Sequence, residues 1–593
     1  MKHTFNILMA LAFTLLSISP ALSQSEGVPW PAIDSLGRQV ETSTKVGAVR
    51  PDKKVGIFYF VWLQESIKKA HWTDGPYDVS KILERLPEGE KRDIETSKSD
   101  LWAPRHSTMY FWGEPLFGYY LSKDPWVIRK HVELLSDAGV DFWIFDTTNA
   151  VTYPTEITAI CQTLLQMKKE GASVPQVACM LNTDVNGTAN RLWNELYNVP
   201  EYQELLFQLD GKPLLIGDPE QIENETIKNA LTLRRAHWPF QMVNTEKAWH
   251  WEAAYPQPYG WSTDPNHAEQ VNVSVAQNLS REPSAVVQNM SSGIARGRSF
   301  HNGVVEETID TDLGHNFQEQ WQRAYELDPD VVMVTGWNEW VAGRWERGDR
   351  NVFVDQYNRE YSRDIEPMRG GHLDAYYLQM VQGIRRYKGV PAVPKATTNV
   401  TIDLTAGFQQ WEKVETTFTD YVNDTTARDF NGAGQTHYRN VSGRNDIVLC
   451  KAARDAENFY FYLKTAKPIT PERPNGLCLL INTDNNLQTG FIGGDILIGA
   501  QYNGSTALVA AHNGTDSSEW KWKKTSKVEY ALQGNQLMIK APYDVLGINA
   551  ERASFNSVSF KWLDNFGRDA TVADLYATGD VAPSSRFFYQ AAE

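Results

Sequence analysis

The most informative chemical group in the sequence is a carboxylate that lies between two tryptophans, in the run Trp337-Asn338-Glu339-Trp340. Four apolar residues, Val331 to Val334, come shortly before it and are typical of a strand that is buried on both faces. Indole rings can pack on the apolar C–H face of a sugar, and a carboxylate can exchange a proton with a glycosidic oxygen. This pattern favours carbohydrate chemistry; the alternative is a surface turn whose tryptophans pack in a core.

Hydrolysis of a glycosidic bond usually requires two carboxyl groups, one acidic and one basic. Asp146 is the predicted catalytic partner of Glu339, because it ends the run Asp141–Asp146 (D-F-W-I-F-D), a second buried strand. In a barrel of alternating strands and helices, catalytic groups lie at the carboxyl ends of strands, where both residues fall. Capping of the next turn is the alternative role of Asp146. Glu252, which follows Trp251, is the next choice.

Further residues near predicted strand ends are candidates for substrate binding. Tryptophans offer stacking surfaces, amides suit sugar hydroxyl groups, and a guanidinium suits an anionic sugar. Core packing, turn formation and ion pairing with a neighbour are their alternative roles. The predicted substrate-binding residues are Trp337, Asn338, Trp340, Trp62, Glu114, Asn182, Trp251, Glu252, Trp261 and Arg344.

The elements that must position these residues alternate between strand and helix. The predicted strands are Val55–Trp62, Gly118–Leu121, Asp141–Asp146, Gln176–Leu181, Pro213–Ile216, Ala248–Glu252, Val271–Ala276 and Val331–Val334. The predicted helices are Pro125–Ala138, Tyr153–Lys169, Thr188–Tyr197, Glu220–Leu233, Phe317–Leu327 and Asp374–Arg386. This α/β pattern predicts a (β/α)8 TIM barrel over residues 24–388. A doubly wound sheet, the alternative, would require a Gly-rich phosphate turn after the first strand.

The pattern changes from helical to alternating near residue 395. Residues 389–400 are predicted to form a linker, and residues 401–593 carry short strands that are separated by Asn, Gly and Asp turns. Strands of this length and spacing predict an antiparallel β-sandwich. The run from Asn482 to Gly490 is loosely similar to a calcium loop, but Leu487 occupies its glycine position, so a hairpin turn is predicted there.

Length, charge and the amino terminus restrict the class of protein. A chain of 593 residues is long enough for two or three domains, and its net charge of −16 argues against nucleic acid or an anionic membrane as a partner. Residues 1–23 have the charged start, apolar core and small terminal residues of a signal peptide. We therefore expect an exported protein, periplasmic or secreted. No later apolar run has the length of a membrane span.

The sequence lacks the common motifs of other chemistries. It contains no G-x-S-x-G elbow, H-E-x-x-H pair, Walker loop or C-x-x-C pair, so we predict neither a metal site nor a cofactor. Its four cysteines, Cys161, Cys179, Cys450 and Cys478, allow three disulfide pairings, of which Cys450–Cys478 joins two strand-like runs. Because a protein this large folds without disulfides, buried thiols are favoured.

Several runs carry a resemblance to known families. V-G-I-F-Y-F-V-W, D-A-G-V-D-F-W-I-F-D-T-T-N, V-T-G-W-N-E-W, W-G-E-P, F-V-D-Q-Y and Y-S-R-D-I-E-P occur between Val55 and Tyr387. That region resembles the barrels of glycoside hydrolase families 71 and 99, most of all their bacterial relatives. The resemblance implies hydrolysis of glycosidic bonds and a catalytic role for Glu339. The runs I-N-T-D-N-N-L-Q-T-G and G-D-V-A-P resemble a carbohydrate-binding module of family 9.

The sequence departs from both barrel families at the partner acid. Family 99 has a glutamate three residues before the position of Glu339, where this chain has Gly336, and family 71 has an acid three residues after it, where this chain has Ala342. The second carboxylate is therefore expected on another strand. The leading hypothesis is an exported glycoside hydrolase that acts on a polysaccharide or glycan. The alternative is a non-catalytic glycan-binding protein built on a hydrolase-like barrel.

Overall fold

The computed structural model describes residues 26–64, 78–102, 108–304, 310–470, 476–567 and 569–593. The predicted signal peptide lies outside the described residues. The architecture is mixed α/β, with a nearly closed barrel sheet followed by a second, curled sheet. Among the helices of the described ranges, none is both long and apolar enough to cross a bilayer.

The barrel sheet consists mainly of parallel strands that lie side by side in chain order. These strands are β1 (Lys54–Tyr59), β2 (Phe142–Asp146), β3 (Gln176–Met180), β4 (Lys212–Ile216), β5 (Thr232–His237), β6 (Ala248–His250), β7 (Gln270–Ser274) and β8 (Val331–Thr335). Strand β8 pairs with both β7 and β1, so the sheet curls back on itself. The short strands Gln208–Leu209, Thr245–Glu246 and Gly260–Trp261 pair at its margins.

The gap in the barrel sheet lies between β6 and β7, and one side chain bridges it. The amide oxygen of Gln270 accepts a hydrogen bond from the backbone N–H of His250 at 2.8 Å, and its nitrogen donates to the His250 carbonyl at 3.0 Å. Both residues are buried. The side-chain amide therefore takes the place of a backbone pair and holds the barrel nearly closed.

We expect Gln270→Leu to lower the free energy of unfolding by roughly 2–5 kcal/mol, because a buried donor and a buried acceptor lose their partner and each costs about 1–3 kcal/mol. Urea denaturation measures the change. Gln270→Glu keeps an acceptor for the His250 N–H. Its free energy of unfolding should therefore lie between those of wild type and Gln270→Leu. Gln322→Leu, at an exposed helical position, is the control and should stay within about 0.5 kcal/mol of wild type. Equal stability of all the variants would rule out the bridge.

Helices cover the outside of the barrel. They include α1 (Pro125–Ala138), α2 (Pro154–Lys169), α3 (Val185–Leu192), α4 (Glu225–Ala230), α5 (His315–Leu327) and α6 (Ala375–Lys388). The prediction for α1 is confirmed: the Asp124 carboxylate accepts from the Trp126 N–H, Pro125 occupies the first turn, and Gly139 ends the helix at φ +88°. Further helices span Ser43–Val46, Val79–Arg85, Glu88–Arg92 and Asp574–Ala577.

The eightfold alternation of a TIM barrel is not confirmed. Residues 238–247 and 251–269, which are all described, contain no helix, so β5, β6 and β7 follow one another without crossover helices. The predicted helix 220–233 ends at Ala230, and Thr232–His237 forms β5 instead. Two arginines obscured this strand in the sequence. Arg234 is buried because it pairs with Glu269 at 2.6 Å and with an aspartate at 2.7 Å.

The predicted strand Gly118–Leu121 is an irregular segment in the structure. Gly118 has a φ of +78°, a left-handed conformation that favours glycine, and the ring of Tyr438 lies where its side chain would be. The backbone N–H of Tyr119 donates to the Tyr438 hydroxyl at 2.7 Å. A contact from the curled sheet therefore fixes this segment, and its sequence alone could not show that.

Aromatic rings fill the barrel interior near the amino-terminal ends of the strands. Phe142 stacks on Phe207 with a centroid distance of 3.7 Å. The Phe142 ring also occupies the space beside Gly56, where an added Cβ would lie 2.5 Å from it. Glycine is therefore required at this position of β1. Packing at this end leaves the free volume of the barrel at the carboxyl ends of its strands.

A small antiparallel sheet covers the rim at the carboxyl ends. Its strands are Thr108–Phe111, Val341–Arg347 and Arg350–Phe353. The last two form a hairpin directly after β8, and the chain then returns to the rim over residues 354–366. This return brings Arg363 into contact with Glu339. The short pair Gln277–Ser280 and Ala295–Arg296 lies farther along the chain from β7.

The carboxy-terminal strands form one continuous curled sheet, which is consistent with the predicted β domain; its arrangement as a sandwich stays a prediction. Its strands are Thr397–Thr398, Thr417–Thr419, Ile447–Arg454, Asn458–Thr465, Cys478–Asn482, Ile496–Asn503, Thr506–His512, Trp522–Gln533, Gln536–Pro542, Ser559–Asp564 and Asp580–Ala582, and a separate hairpin joins Arg428–Asn431 to His437–Asn440. Pairing is antiparallel except at the first of these strands. The four cysteines are buried free thiols.

Buried polar contacts join the barrel to the curled sheet. Arg586 donates to the Asp374 carboxylate at 2.5 and 3.1 Å, and the Tyr576 hydroxyl donates to the same group at 2.6 Å. Arg428 pairs with Asp124, the cap of α1, at 2.8 Å. The predicted linker, residues 389–400, also forms backbone hydrogen bonds to both regions. The boundary between the two regions is therefore a packed seam.

Candidate active site

A cavity of about 640 Å³ lies at the carboxyl ends of the barrel strands. This volume is within the usual range for sites that bind small molecules. Its lining combines carboxylates, amides, one arginine and many aromatic rings. The lining residues are Phe58, Phe60, Trp62, Met109, Asp146, Thr148, Asn149, Tyr153, Asn182, Trp238, Pro239, Phe240, Trp251, Asn278, Val287, Glu339, Trp345, Asp355 and Arg363.

The structure places both predicted catalytic carboxylates in the wall of this cavity. Asp146 is the last residue of β2, and Glu339 follows β8, so the two residues come from the carboxyl ends of different strands. Three of the predicted substrate-binding residues, Trp62, Asn182 and Trp251, line the same cavity. The roles of these residues remain predictions, and the geometry below shows what they could do.

Glu339 is held through one of its two oxygens. Its Oε2 accepts hydrogen bonds from the Gln356 amide at 2.7 Å and from the Arg363 guanidinium at 3.1 Å. The described chain gives Oε1 no hydrogen-bond partner, and the residue is 6 % exposed at the cavity wall. Desolvation raises the pKa of Glu339 well above its usual value, although Arg363 opposes the shift. Its surroundings therefore favour the protonated form of Glu339.

A second set of contacts fixes the backbone of Glu339. Its N–H donates to Oδ1 of Asp364, and the other oxygen of Asp364 accepts from the Trp112 indole at 2.5 Å. Both partners are fully buried. Burial raises the pKa of Asp364 to about 7. The chain is thus anchored on the side away from the cavity, so that the carboxyl group has a defined position.

Arg363 is the centre of a group of three acids. Its guanidinium lies 3.1 Å from Glu339, 3.4 Å from Glu252 and 3.9 Å from Asp355, and it packs over the Trp251 ring at 4.8 Å. The Arg363 side chain is fully buried, whereas Asp355 is half exposed toward the cavity. One buried cation therefore partly compensates three carboxylates. The charges of Arg363, Glu252 and Asp355 will therefore influence the pKa of Glu339.

Glu252 lies behind the cavity wall. It is fully buried, and its Oε1 accepts from the backbone N–H of Asn278 at 3.0 Å. Desolvation raises its pKa to about 7 against the opposing effect of Arg363. Glu252 does not line the cavity, so the predicted direct contact with substrate is corrected. Asp355, which does line it, is the better third carboxylate.

Asp146 has a different environment from Glu339. Its Oδ1 accepts from the hydroxyl and the backbone N–H of Thr148, at 2.7 and 3.1 Å. Desolvation raises the pKa of Asp146 to about 6, although these hydrogen bonds stabilise the ionised form. Desolvation therefore raises the pKa of both carboxyl groups, but Thr148 stabilises the ionised form of Asp146, whereas Arg363 and Gln356 do so for Glu339. Its turn-capping role and its place on the cavity wall are compatible.

The raised pKa of Asp146 makes stability depend on pH. The folded state binds more protons than the unfolded state between the ordinary pKa of 3.8 and about 6, so stability falls as pH rises through this window. About two pKa units correspond to roughly 3 kcal/mol. We expect Asp146→Asn to gain about 2 kcal/mol of this stability relative to wild type as pH rises from 4.5 to 7.5, measured by urea denaturation. Asp429→Asn, at an exposed position, should show no such gain. If the free energies of unfolding of Asp146→Asn and wild type differ by the same amount at every pH, the pKa of Asp146 is not raised.

Two of the predicted stacking tryptophans are part of the core. Trp337 is fully buried between His131 and Tyr377, with centroid distances of 5.6 and 6.4 Å. Trp340 is also fully buried and stacks on Trp112 at 4.7 Å. Neither residue lines the cavity. Their predicted contact with sugar is corrected, because both indoles point away from the rim into the packing beneath it.

Asn338 has a structural role. Its side chain accepts from the N–H of Phe60 at 2.8 Å and donates to the Phe60 carbonyl at 3.2 Å. The amide also bonds to the Tyr120 hydroxyl at 3.2 Å. Asn338 therefore joins the end of β1 to the turn after β8 and does not reach the cavity. The predicted role in hydroxyl recognition is corrected accordingly.

Three other predicted substrate-binding residues lie away from the cavity. Glu114 pairs with Lys81 at 2.6 Å. Arg344 donates to the Ser97 carbonyl at 2.9 Å and packs on an indole. Trp261 lies in a short strand beside Thr245–Glu246, near the amino-terminal end of β6 and thus at the opposite end of the barrel. None of the three lines the cavity, so their predicted contact with substrate is corrected.

The sequence prediction missed several residues of the cavity wall. Asp355 and Arg363 belong to the charged run after the hairpin. Tyr153 directly precedes α2, Trp238 follows β5, and Trp345 lies in the rim strand Val341–Arg347. The density of charge in residues 355–366 was a usable signal, because charged residues are rarely buried without partners. Nothing in the local sequence indicated that this run returns to the rim.

Among known proteins, similarity to this chain is found in solved structures. No protein-family model and no curated protein matches the chain. The GH99 endo-α-mannosidase from Bacteroides thetaiotaomicron is similar over 56% of this chain and 97% of that chain, at 12% identity and a TM-score of 0.34. The α-fucosidase from Thermotoga maritima, in complex with a mechanism-based inhibitor, is similar over 85% and 94%, at 10% identity and a TM-score of 0.23. At these TM-scores the function must be argued from the site.

Proposed function

We propose that this protein is an exported glycoside hydrolase that cleaves glycosidic bonds in a polysaccharide or glycan. The observation that carries the proposal is that Glu339 and Asp146 both lie on the wall of one aromatic-lined cavity, each held by different hydrogen-bond partners. Two carboxyl groups whose environments separate their pKa values are the usual machinery of glycoside hydrolysis. Residues 1–23 support export.

In the proposed reaction, Glu339 is the general acid. Its free Oε1 donates a proton to the glycosidic oxygen as the bond to the leaving sugar breaks. Arg363 and Gln356 hold Oε2 and stabilise the carboxylate that remains. Asp146, ionised above a pH of about 6, either attacks the sugar carbon or takes a proton from the attacking water. Asp355 is the alternative for this second role, because it lines the same cavity.

Aromatic side chains of the wall would orient the sugar rings. Trp62 and Trp251, together with Trp238 and Tyr153, present ring surface to the cavity, and Asn182 adds an exposed amide. Stacking of rings on sugar C–H groups and hydrogen bonds from amides together distinguish sugar faces. We place the chain near families 71 and 99 as a (β/α)8 barrel that lacks some crossover helices. The curled sheet is proposed to be similar to carbohydrate-binding family 9.

A screen of purified protein against a panel of polysaccharides and glycans tests this function. We expect new reducing ends and shorter saccharides, identified by mass analysis, with at least one substrate. Glu339→Gln is the matched inactive control, because it retains the shape of the protonated acid. Products from both proteins at equal rates would contradict the assignment of Glu339.

Glycan binding without cleavage is the second candidate function. The observation in its favour is that Arg363 and Gln356 already engage Glu339, so the acid is partly compensated before any substrate binds. Binding of a glycan by wild type and by Glu339→Gln with equal affinity, without products, would favour this function. Failure to bind or cleave any member of a broad panel would count against both.

A further inference from the structure

A second cluster of acids lies at the seam between α1 and the curled sheet, away from the cavity described above. Asp420, Asp424 and Asp580 each offer a carboxylate oxygen, and these oxygens all lie within 4.8 Å of one another. Asp424 is 8 % exposed and Asp580 is 2 % exposed. Three like charges at this separation repel one another strongly unless a cation or protons compensate them.

Several carboxylate oxygens of this cluster are buried without a partner. Within the described residues, Oδ2 of Asp420, Oδ1 of Asp424 and Oδ1 of Asp580 accept no hydrogen bond. Oε1 of Glu133, on the facing side of α1, is also unpartnered, and Glu133 is 2 % exposed. Unsatisfied buried oxygens are costly, so their convergence indicates a missing positive partner.

Two lysines, Lys130 and Lys561, interact electrostatically with this cluster, but neither donates a hydrogen bond to its unpartnered oxygens. The ammonium of Lys130 lies 2.7 Å from Glu133 and 3.9 Å from Asp424, so its direct contact is with Glu133. The ammonium of Lys561 donates to the backbone carbonyl of Pro583. The carboxyl groups of Asp424 and Asp446 are also in hydrogen-bond contact, so Asp446 adds another acid to the cluster.

We propose that Asp420, Asp424 and Asp580 bind a calcium ion that fixes the loop after Thr417–Thr419 to the strand Asp580–Ala582 beside α1. A set of carboxylate oxygens selects a hard cation. Calcium–oxygen bonds of about 2.3–2.6 Å place opposite ligands about 4.6–5.2 Å apart, whereas magnesium bonds of about 2.0–2.1 Å require a tighter set. The three oxygens lie within 4.8 Å of one another, so a calcium ion between them can reach all three.

The surroundings provide room for the remaining ligands. A cavity of about 30 Å³ is lined by Asp424, Asp580, Glu133 and Trp126. This volume can hold a water molecule, and such a polar lining would keep it hydrated. A calcium ion usually binds six to eight oxygens, so water and the unpartnered Glu133 oxygen would complete the set. The ion would then connect the barrel with the curled sheet.

Terbium luminescence tests the site directly on the full-length protein after chelator treatment. Tb³⁺ binds oxygen sites that accept Ca²⁺, and Trp126 lies close enough to transfer energy to it. We expect a saturable terbium signal that Ca²⁺ displaces at much lower concentration than Mg²⁺. We also expect saturating Ca²⁺ to raise the melting temperature by about 5 °C. Absence of both responses in the wild-type protein would overturn the proposal.

Matched variants locate the response. Asp424→Asn and Asp580→Asn should each abolish the terbium signal and the calcium-dependent shift in melting temperature. Asp484→Asn is the control, because Asp484 lies in the run from Asn482 to Gly490 that loosely resembles a calcium loop. Loss of the signal in Asp484→Asn, with the signal kept in Asp580→Asn, would contradict the proposed site. Variants that are more stable than wild type with no calcium response would show that protons alone neutralise the cluster.

Discussion

Glu339→Gln is expected to lower turnover by at least about 10²–10⁴-fold on any substrate whose leaving group needs a proton, the usual contribution of general acid–base catalysis. Glutamine keeps the shape of the protonated acid but cannot release a proton. Because desolvation already favours the protonated form of Glu339, the substitution should change the melting temperature little. Sugar binding should largely survive, since the aromatic wall is unchanged. Turnover on the substrate found by the panel, with saccharide binding measured by calorimetry, checks both statements.

The pH profile separates catalysis from structure. If Glu339 acts as the acid, wild-type activity should fall as pH rises through its elevated pKa. The residual activity of Glu339→Gln should not show this decrease at high pH. Glu114→Gln is the matched control, because Glu114 lies away from the cavity and pairs with Lys81. A Glu339→Gln protein that keeps most of its activity would refute the acid role. A variant that is inactive because it unfolds would make Glu339 a structural residue.

Arg363→Met is expected to lower the free energy of unfolding by about 3–5 kcal/mol near pH 8, because it leaves buried acids without their cation. Arg363 is fully buried and faces Glu252, Glu339 and Asp355. Urea denaturation measures the loss. Arg347→Met, at an exposed position of the hairpin, is the control and should cost less than about 0.5 kcal/mol.

The deficit of Arg363→Met should shrink as pH falls. Without the guanidinium, the pKa values of Glu252 and Glu339 rise further above their already raised values. The folded variant then binds protons that the unfolded chain releases, so it gains stability relative to wild type as pH falls from about 8 toward 5.5. Addition of Glu252→Gln should recover part of the loss at pH 8. A deficit that is equal at both pH values would show that Arg363 acts through packing alone.

The sequence by itself determined much of the local structure. The unbroken apolar run Val331–Val334 forms a buried strand, because a strand covered on both faces needs apolar side chains at successive positions. The start and end of α1 follow from Asp124 and Gly139, whose capping chemistry is local. The position of Glu339 at a strand end followed from the same local pattern. These features depend on neighbours within a few residues, and a single sequence contains that information.

Whether each aromatic or charged residue faces the cavity was decided by the tertiary structure. Trp337 and Trp251 both lie at strand ends, yet the first packs in the core and the second lines the cavity. Strand β5 was hidden by Arg234, whose burial depends on Glu269 in a later segment. The Gln270 side chain can bridge the gap only because the strand register places it opposite His250. The proposed calcium site likewise requires segments that are distant in sequence to come together.

Some residues of the candidate site could be predicted from the sequence, and others were placed only by the tertiary structure. Glu339 and Asp146 could be predicted, because each directly follows or ends a recognisable strand. Arg363 and Asp355 could not be placed, since a hairpin carries the chain away from the rim and returns it. Contacts between residues that are distant in sequence depend on the summed packing of the whole barrel rather than on any local pattern. The sequence therefore determined which acids could react, and the tertiary structure decided which cation and which rings surround them.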